Sequence, residues 1–296
     1  MELAQSLARF GKKIVLIVDR KRLLAAEDID TARLMQSHLE AVGIEIILDS
    51  QVTQVKQLQG KKWLQAGNRA IETEEIIFCD RTIPNIEGLN LAGVEVKYNS
   101  AGIAVNNKLQ TTNSQIYACG NILGGYASAN IAVHEVNLAL KNMLFFPLFK
   151  IDYRCVPWGI LTQPNIMRVG LKETQAKQNC DRDIYIVKEY FKSTIQAQVV
   201  GKTTGWCKLL VAETGDILGC TIIGDRATEL ITIVALMMKY NIKFSNNLMK
   251  GMTTTEIPYM SPSFAEIFSR LAHNYYLQKL QKNPKLLKRL KIWFKH

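Results

Sequence analysis

The stretch KKIVLIVDRKRLLAAEDIDTARLMQSHLEAVGIEIILD, residues 12–49, decides the fold class. Residues 14–18 form a continuous apolar run that stops at Asp19, and residues 44–48 form a second. Runs that are apolar at every position suit strands buried on both faces, as in parallel sheets. Between them, residues 28–42 read as a helix, with Asp28 placed as N-cap and Gly43 as terminator. Strand, helix, strand is the rhythm of a doubly wound α/β unit. Upstream, residues 2–10 read as another helix, with Leu3, Leu7 and Phe10 on one face and Gly11 at its end. Downstream, strand-like segments come at residues 52–58 and 75–78. The order is unusual, because a Rossmann unit leads with a strand and a glycine-rich turn. The expectation is an incomplete Rossmann-type unit whose leading strand comes from another polypeptide, was cut off by a late start, or was lost in a decaying remnant.

Further along, short strands are expected near residues 103–105 and 116–118. They precede a glycine-rich turn, Gly120-Asn121-Ile122-Leu123-Gly124-Gly125, and a long helix over residues 128–144. From residue 152 the pattern changes to short strands and turns. Residues 208–212 and 217–223 flank Glu213-Thr214-Gly215-Asp216 as a hairpin, and helices are expected at 227–239 and 262–280. Strands succeeded by helices make an α+β module, with a boundary near residues 149–152.

Composition narrows the classes. The 296 residues carry 48% hydrophobic and 21% charged side chains, which excludes an intrinsically disordered chain and suggests about two domains. No apolar run reaches the roughly 18–20 residues of a membrane span. The net charge is +11, but seven lysines and arginines and no acid lie in residues 277–296, leaving +4 for the rest. A nucleic-acid footprint would spread over a domain face, so no nucleic-acid partner is expected. The six cysteines are scattered, with no C-x-x-C and no metal-ligand spacing. Reduced, buried thiols in a cytoplasmic protein are the reading, with no metal site.

Several segments, taken in order, resemble the pyridine nucleotide-disulfide oxidoreductase family, its mercuric-reductase-like and dihydrolipoamide-dehydrogenase-like members above all. Residues 2–20 resemble the segment immediately after G-x-G-x-x-G in the family's NAD(P)-binding domain, and Arg22-Leu23-Leu24 with Glu27-Asp28 resembles its next segment. Arg81-Thr82-Ile83-Pro84-Asn85 resembles the G-R-x-P-N exit from that domain. Thr112 to Asn121, containing Ile116-Tyr117-Ala118-Cys119-Gly120-Asn121, resembles the second FAD motif. Thr162-Gln163-Pro164 and Ile217-Leu218-Gly219 resemble parts of the dimerisation domain. Ser261-Pro262-Ser263-Phe264-Ala265-Glu266 stands where the family has H-P-T-x-S-E. The resemblance implies a partial NAD(P)-binding domain at 1–97, the C-terminal strip of an FAD-binding domain at 98–150, a dimerisation domain at 151–276, and a basic tail helix at 277–296.

It also implies cofactors and roles. FAD and NAD(P)H would be the cofactors, with hydride passing from nicotinamide to flavin and on to an acceptor such as a disulfide or a metal ion. A homodimer would form through the C-terminal domain, and a separately encoded N-terminal half could complete the flavin site. Asp19 would face the adenosine ribose, although a solvated loop acid is the alternative. Glu2 would close the glycine motif, or simply favour a helix N-terminus. Gly120 and Asn121 would face the flavin ribityl chain, or serve only as a turn.

Four departures set limits. The first FAD segment with its C-x-x-x-x-C pair is missing, and so is the NAD domain's first strand and glycine loop. Ser261 replaces the catalytic histidine and leaves Glu266 no imidazole to orient, so that Glu266 would cap or solvate a helix. Asp80 replaces a glycine and sets a charge against a cofactor phosphate. The expectation is the C-terminal portion of an oxidoreductase, incomplete alone, or else a non-catalytic dimerisation remnant. After Asn283 and Pro284, Leu286, Leu287, Leu290, Trp293 and Phe294 share one helical face opposite a run of cations. That tail is either a helix on an anionic membrane surface or one docked on the fold.

Overall fold

The computed structural model describes residues 1–80, 82–179, 183–244 and 259–282. In chain order the elements are α1 (Glu2–Arg9), β1 (Val15–Ile17), α2 (Ile29–Ala41), β2 (Glu45–Ile47), β3 (Val52–Leu58), β4 (Lys61–Ala66), β5 (Arg69–Thr73), β6 (Tyr98–Asn99) and β7 (Gly102–Ile103). Then come α3 (Ala129–Leu144), β8 (Trp158–Ile160), β9 (Asn165–Gly170), α4 (Glu173–Asn179), β10 (Ile184–Tyr190), α5 (Ile195–Val199), β11 (Trp206–Ala212), β12 (Ile217–Gly224), α6 (Ala227–Lys239) and α7 (Glu266–Gln281). They fall into two compact units, one built from residues 1–76 with 159 onward, the other from residues 77–158.

In the first unit, β1 and β2 pair in parallel with Val15 opposite Glu45 and Ile17 opposite Ile47, as the two apolar runs foretold. Leu23, Leu39 and Ile44 are buried between this pair and the helices, with Ala4, Ala8, Leu16 and Ile46 around them. Strands β3, β4 and β5 form an antiparallel meander. Its first turn places Gln59 and Gly60 both at positive φ, the geometry that suits the strand twist in a two-residue hairpin. The strand expected at residues 75–78 does not form. β5 ends at Thr73, no neighbouring strand pairs with residues 75–78, and Ile77 and Phe78 are exposed.

The larger sheet runs β10-β11-β12-β9-β8. Its inner strands are mostly apolar because α6 and α7 cover it. Val187, Leu209, Val211, Cys220 and Ile222 pack under Leu230, Val234, Phe268, Leu271 and Tyr275. The Tyr185 and Tyr275 rings meet edge to face at 5.1 Å, a favoured aromatic arrangement. α6 spans the residues expected for it, whereas α7 begins at Glu266 and continues into the stretch read as tail. The remaining tail residues, 283–296, lie outside the described residues.

One polar group in this sheet controls its surroundings. Lys208 on β11 is 2% exposed. Its Nζ lies 3.1 Å from Asp28 Oδ2, 3.0 Å from Asp30 Oδ1 and 3.0 Å from Glu173 Oε2. Lys188 on β10 adds 2.7 Å to Asp30 Oδ2 and stacks 4.1 Å above the Trp206 ring. Beside it, Arg168 pairs with the buried Glu27 at 3.2 Å. Asp28 sits at the N-cap position of α2 but does not cap it. Its carboxylate accepts from the backbone N–H of Glu173 at 3.1 Å, at the start of α4. The expected cap is therefore corrected: the buried ammonium and an orphan helix N–H from a distant segment claim the side chain instead.

Burial pushes the Asp30 and Glu173 carboxyls upward, but hydrogen bonds from Lys188 and Lys208 to Asp30, and from Lys177 and Lys208 to Glu173, outweigh it and hold both below the usual range. Their stabilisation is in place above the unfolded carboxylate value, about 4, and fades as pH falls through the lowered folded value. Burial works to lower Lys208, yet Asp30, Glu173 and Asp28 raise it. Its contribution is therefore complete below the unfolded lysine value, about 10.4, and is lost as pH rises through the folded one. Lys208→Met removes the cation shared by three carboxylates, leaving Asp28 without an ammonium partner while Asp30 keeps Lys188 and Glu173 keeps Lys177, and is expected to cost about 3 kcal/mol at neutral pH. The cost should shrink as pH falls below about 4. Urea unfolding midpoints for both chains across pH check this, and equal midpoints at neutral pH would refute it.

Candidate functional site: the glycine turn at residues 120–124

The second unit is organised around two turns that touch through backbone. Gly102 has φ +144°, and a Cβ there would lie 2.5 Å from the Ile122 carbonyl oxygen. A Cβ on Gly124, at φ +70°, would lie 1.4 Å from the Ala101 carbonyl oxygen. Only glycine allows that approach. Leu91, Val96, Ile103 and Ala118 form the small core beneath, with Ile122 and Leu123 packed on it.

Gly120 donates its backbone N–H to Glu135 Oε2 at 2.6 Å. Glu135 is 4% exposed on α3, and its other oxygen accepts from the Tyr153 hydroxyl at 2.6 Å. One buried carboxylate thus fixes the turn, the helix and residue 153 together. Burial first, and then the Glu135 hydrogen bond, push the Tyr153 phenol well above its ordinary value. Burial and Glu135 also raise the Cys119 thiol. A cavity of about 300 Å³ opens here, lined by Ile103, Val105, Gly120, Leu123, Tyr126 and Tyr153, with Glu135 at its edge. It is a largely apolar and aromatic slot, with the Tyr153 hydroxyl proton committed to Glu135. Asn121 comes after Gly120 on the turn with its side chain exposed.

The other residues singled out from sequence are not gathered here. In this same unit Asp80 is exposed. In the first unit, Asp19 is exposed at the end of β1, with Arg20 Nε 3.5 Å away. Glu2 opens α1, and its carboxylate accepts from the Leu161 backbone N–H. Close by, Gln5 exchanges two hydrogen bonds with the Gln163 backbone at 2.8 and 2.7 Å. Ser261 is exposed ahead of α7. Glu266 is the first residue of α7 and pairs with Arg270 Nη2 at 2.8 Å and Nε at 3.0 Å. The N-cap position of α7 is held by Ala265.

Glu135 and Tyr153 were not read from sequence, although a signal existed. The buried face of α3 is Ile131, Glu135, Ala139 and Asn142, and a carboxylate in that apolar register demands partners. A second surprise is Cys207 and Cys220, 13 residues apart and on adjacent strands, whose sulfurs lie 3.7 Å apart. Burial pushes the Cys220 thiol well up, with Cys207 adding to it. Among the described residues no cluster of three His, Cys, Asp or Glu could hold a metal.

Comparison with known proteins identifies the fold. Residues 1–135 match the pyridine nucleotide-disulphide oxidoreductase family model, and residues 156–269 match the dimerisation domain of the same family. The chain belongs to this family. Among curated relatives, a dihydrolipoyl dehydrogenase of Bacillus subtilis is 33% identical over 240 residues, covering 80% of this chain and 52% of that protein. A mercuric reductase of Staphylococcus aureus is 28% identical, covering 88% of this chain and 48% of that protein. The chain spans about half the length of the curated relatives it matches. Among solved structures, the Cu(II) complex of the flavoprotein disulfide reductase RclA from Escherichia coli superposes with a TM-score of 0.82 at 22% identity, over 92% of this chain and 60% of that one. LpdA from Mycobacterium tuberculosis gives 0.83 at 19% identity, over 92% and 58%. Both show the same fold, a Rossmann-like α/β part followed by the α+β dimerisation domain. The family is one of FAD-dependent oxidoreductases.

Glu135→Gln weakens two charge-assisted bonds at the turn and is expected to cost about 2 kcal/mol. It should also bring the Tyr153 ionisation back toward the ordinary phenol value. Phenolate absorbance titrated in the parent, in Glu135→Gln and in Tyr153→Phe isolates that shift.

Proposed function

We propose that this chain is the C-terminal portion of an FAD-dependent NAD(P)H oxidoreductase, not competent without the family's N-terminal flavin-binding segment. What supports the reading is the locked glycine turn, which leaves Asn121 facing solvent where the family places its ribityl-binding acid. The residues present fit the cofactors in part. The Asn121 carboxamide offers one acceptor to a ribityl hydroxyl. The Gly120 N–H is committed to Glu135 and is not open to a ligand. Asp19 offers an exposed carboxylate for the two ribose hydroxyls of NAD, while Arg20 beside it could receive a 2′-phosphate instead. Asp80 holds a negative charge where a phosphate would approach. A bound FAD would supply the hydride-accepting chemistry that links NAD(P)H to an acceptor such as a disulfide or a metal ion.

The general acid of disulfide chemistry is not supplied by Ser261, and Glu266 is engaged by Arg270 rather than by residue 261. That pairing favours a second reading, a non-catalytic dimerisation remnant. Either reading makes a homodimer through the C-terminal domain. Ile233 and Leu236 on α6 and Tyr240 at its C-cap lie at i, i+3 and i+7 and are exposed, an apolar stripe suited to the dimer contact. Among the described residues no helix is long and apolar enough to cross a membrane.

The purified chain is expected to be colourless and unable to oxidise NADH. Supplying the family's N-terminal flavin-binding segment, fused or co-expressed, should yield a flavin spectrum and NADH oxidation. Asn121→Asp should then tighten FAD about tenfold, because an ionised acceptor is stronger by about 1.4 kcal/mol. A yellow, active chain by itself would overturn the incompleteness, and a colourless pair would leave the remnant reading. In sedimentation equilibrium, Ile233→Asp with Leu236→Asp should convert a dimer to monomer.

A further inference from the structure

The second unit carries an apolar feature that the flavin reading does not use. Met143, Leu144, Phe145, Phe146 and Leu148 succeed one another at the end of α3 with exposures of 53, 72, 71, 79 and 73%. An unsupported loop of this composition would fold its side chains inward, because each exposed apolar group is unfavourable in water. Here its two ends are tied together by one side chain, and the apolar groups stay exposed. Asn142 is 1% exposed, and its side chain pairs with both backbone groups of Phe149: Nδ2 donates to the Phe149 carbonyl at 2.8 Å, and Oδ1 accepts from the Phe149 N–H at 2.9 Å. Nδ2 also donates to the Lys108 carbonyl at 3.0 Å, and the Asn142 carbonyl accepts from the Tyr117 hydroxyl at 3.2 Å. A fully engaged buried amide therefore closes the loop and presents its apolar side chains outward.

The flanks are charged in one sense only. Lys141 and Lys150 stand on either side, with Lys141 Nζ 6.0 Å above the Phe149 ring. No acid occurs in residues 136–151. The nearest carboxylates are engaged, Glu135 by Gly120 and Tyr153, and Asp152 by Arg154 at 2.8 Å. Aromatic and aliphatic side chains at a loop tip, rimmed by lysines that can lay their stems on the same surface, match the layering of a bilayer interface.

We propose that residues 143–149 are a membrane-surface contact, entering the headgroup boundary of an anionic bilayer while Lys141 and Lys150 meet the lipid phosphates. The site is distinct from the glycine turn and does not involve the basic C-terminal residues.

The test uses the full chain with vesicles of phosphatidylcholine alone or mixed with phosphatidylglycerol. Because C-terminal cations also attract anionic lipid, the decisive measurements are local to the loop or made at high salt, where charge attraction is screened. The indole of Phe146→Trp is expected to shift its emission to the blue and to be quenched by lipids brominated on the acyl chain. Phe145→Ser with Phe146→Ser should lower vesicle affinity at high salt about tenfold with an unchanged circular dichroism spectrum. Lys141→Gln and Lys150→Gln should each lower affinity for the anionic vesicles about fivefold at low salt. An unquenched indole overturns the proposal and points to a polypeptide as the covering partner. Equal high-salt affinity of parent and double serine variant overturns it as well.

Discussion

A lysine ammonium buried in the middle of a sheet has to be neutralised where it stands. Lys208 meets that requirement with carboxylates drawn from two distant segments of the sequence, two at the head of α2 and one on α4. The consequence is positional. Residues 27–30 cannot shift against the sheet without stranding charge in a low-dielectric setting, where the penalty for an unpaired ion is several kcal/mol. The parallel β1–β2 pair is placed with them, since α2 leads into it. Hydrophobic contact alone would not impose that register, because apolar surfaces tolerate sliding far better than ion pairs do.

The second unit repeats the principle with neutral and single-charge posts. Glu135 and Asn142 occupy core positions of α3, and each is surrounded by backbone or hydroxyl partners at hydrogen-bond distance. They fix what an otherwise small core cannot: the conformation of the glycine turn at one end of the helix and of the apolar loop at the other. Both the glycine turn and the apolar loop are held by a buried polar side chain on α3. This is how a unit with few buried apolar residues keeps defined geometry.

The sequence made much of this legible where periodicity and burial speak alike. The parallel pair, the strand expected at 217–223 and α6 fall where apolar patterning puts them, because each buries the face it displays. Residues 75–78 failed for a physical reason: apolar alternation describes a strand only when a neighbouring strand exists to pair with it. Asp28 was read as a local cap because local rules see only the next helix turn, whereas its partners are 145 and 180 residues away. Glu135 was passed over for the same reason. The family motifs located Asn121, Ser261 and Glu266, but not that Glu266 would be taken by Arg270.

The use of Asp28 as the acceptor for the first N–H of α4 bears on how the chain can be divided. The sheet that matches the dimerisation domain obtains one of its helix-end partners, and two of the carboxylates around Lys208, from the first 30 residues. A fragment cut at the boundary between the family's two sequence models would carry the ammonium with Glu173 alone. Recombination or excision at that point would exchange a cooperative structure for two deficient ones. The amino-terminal segment and the carboxy-terminal sheet therefore form a single compact unit, although residues 77–158 of another unit separate them in sequence.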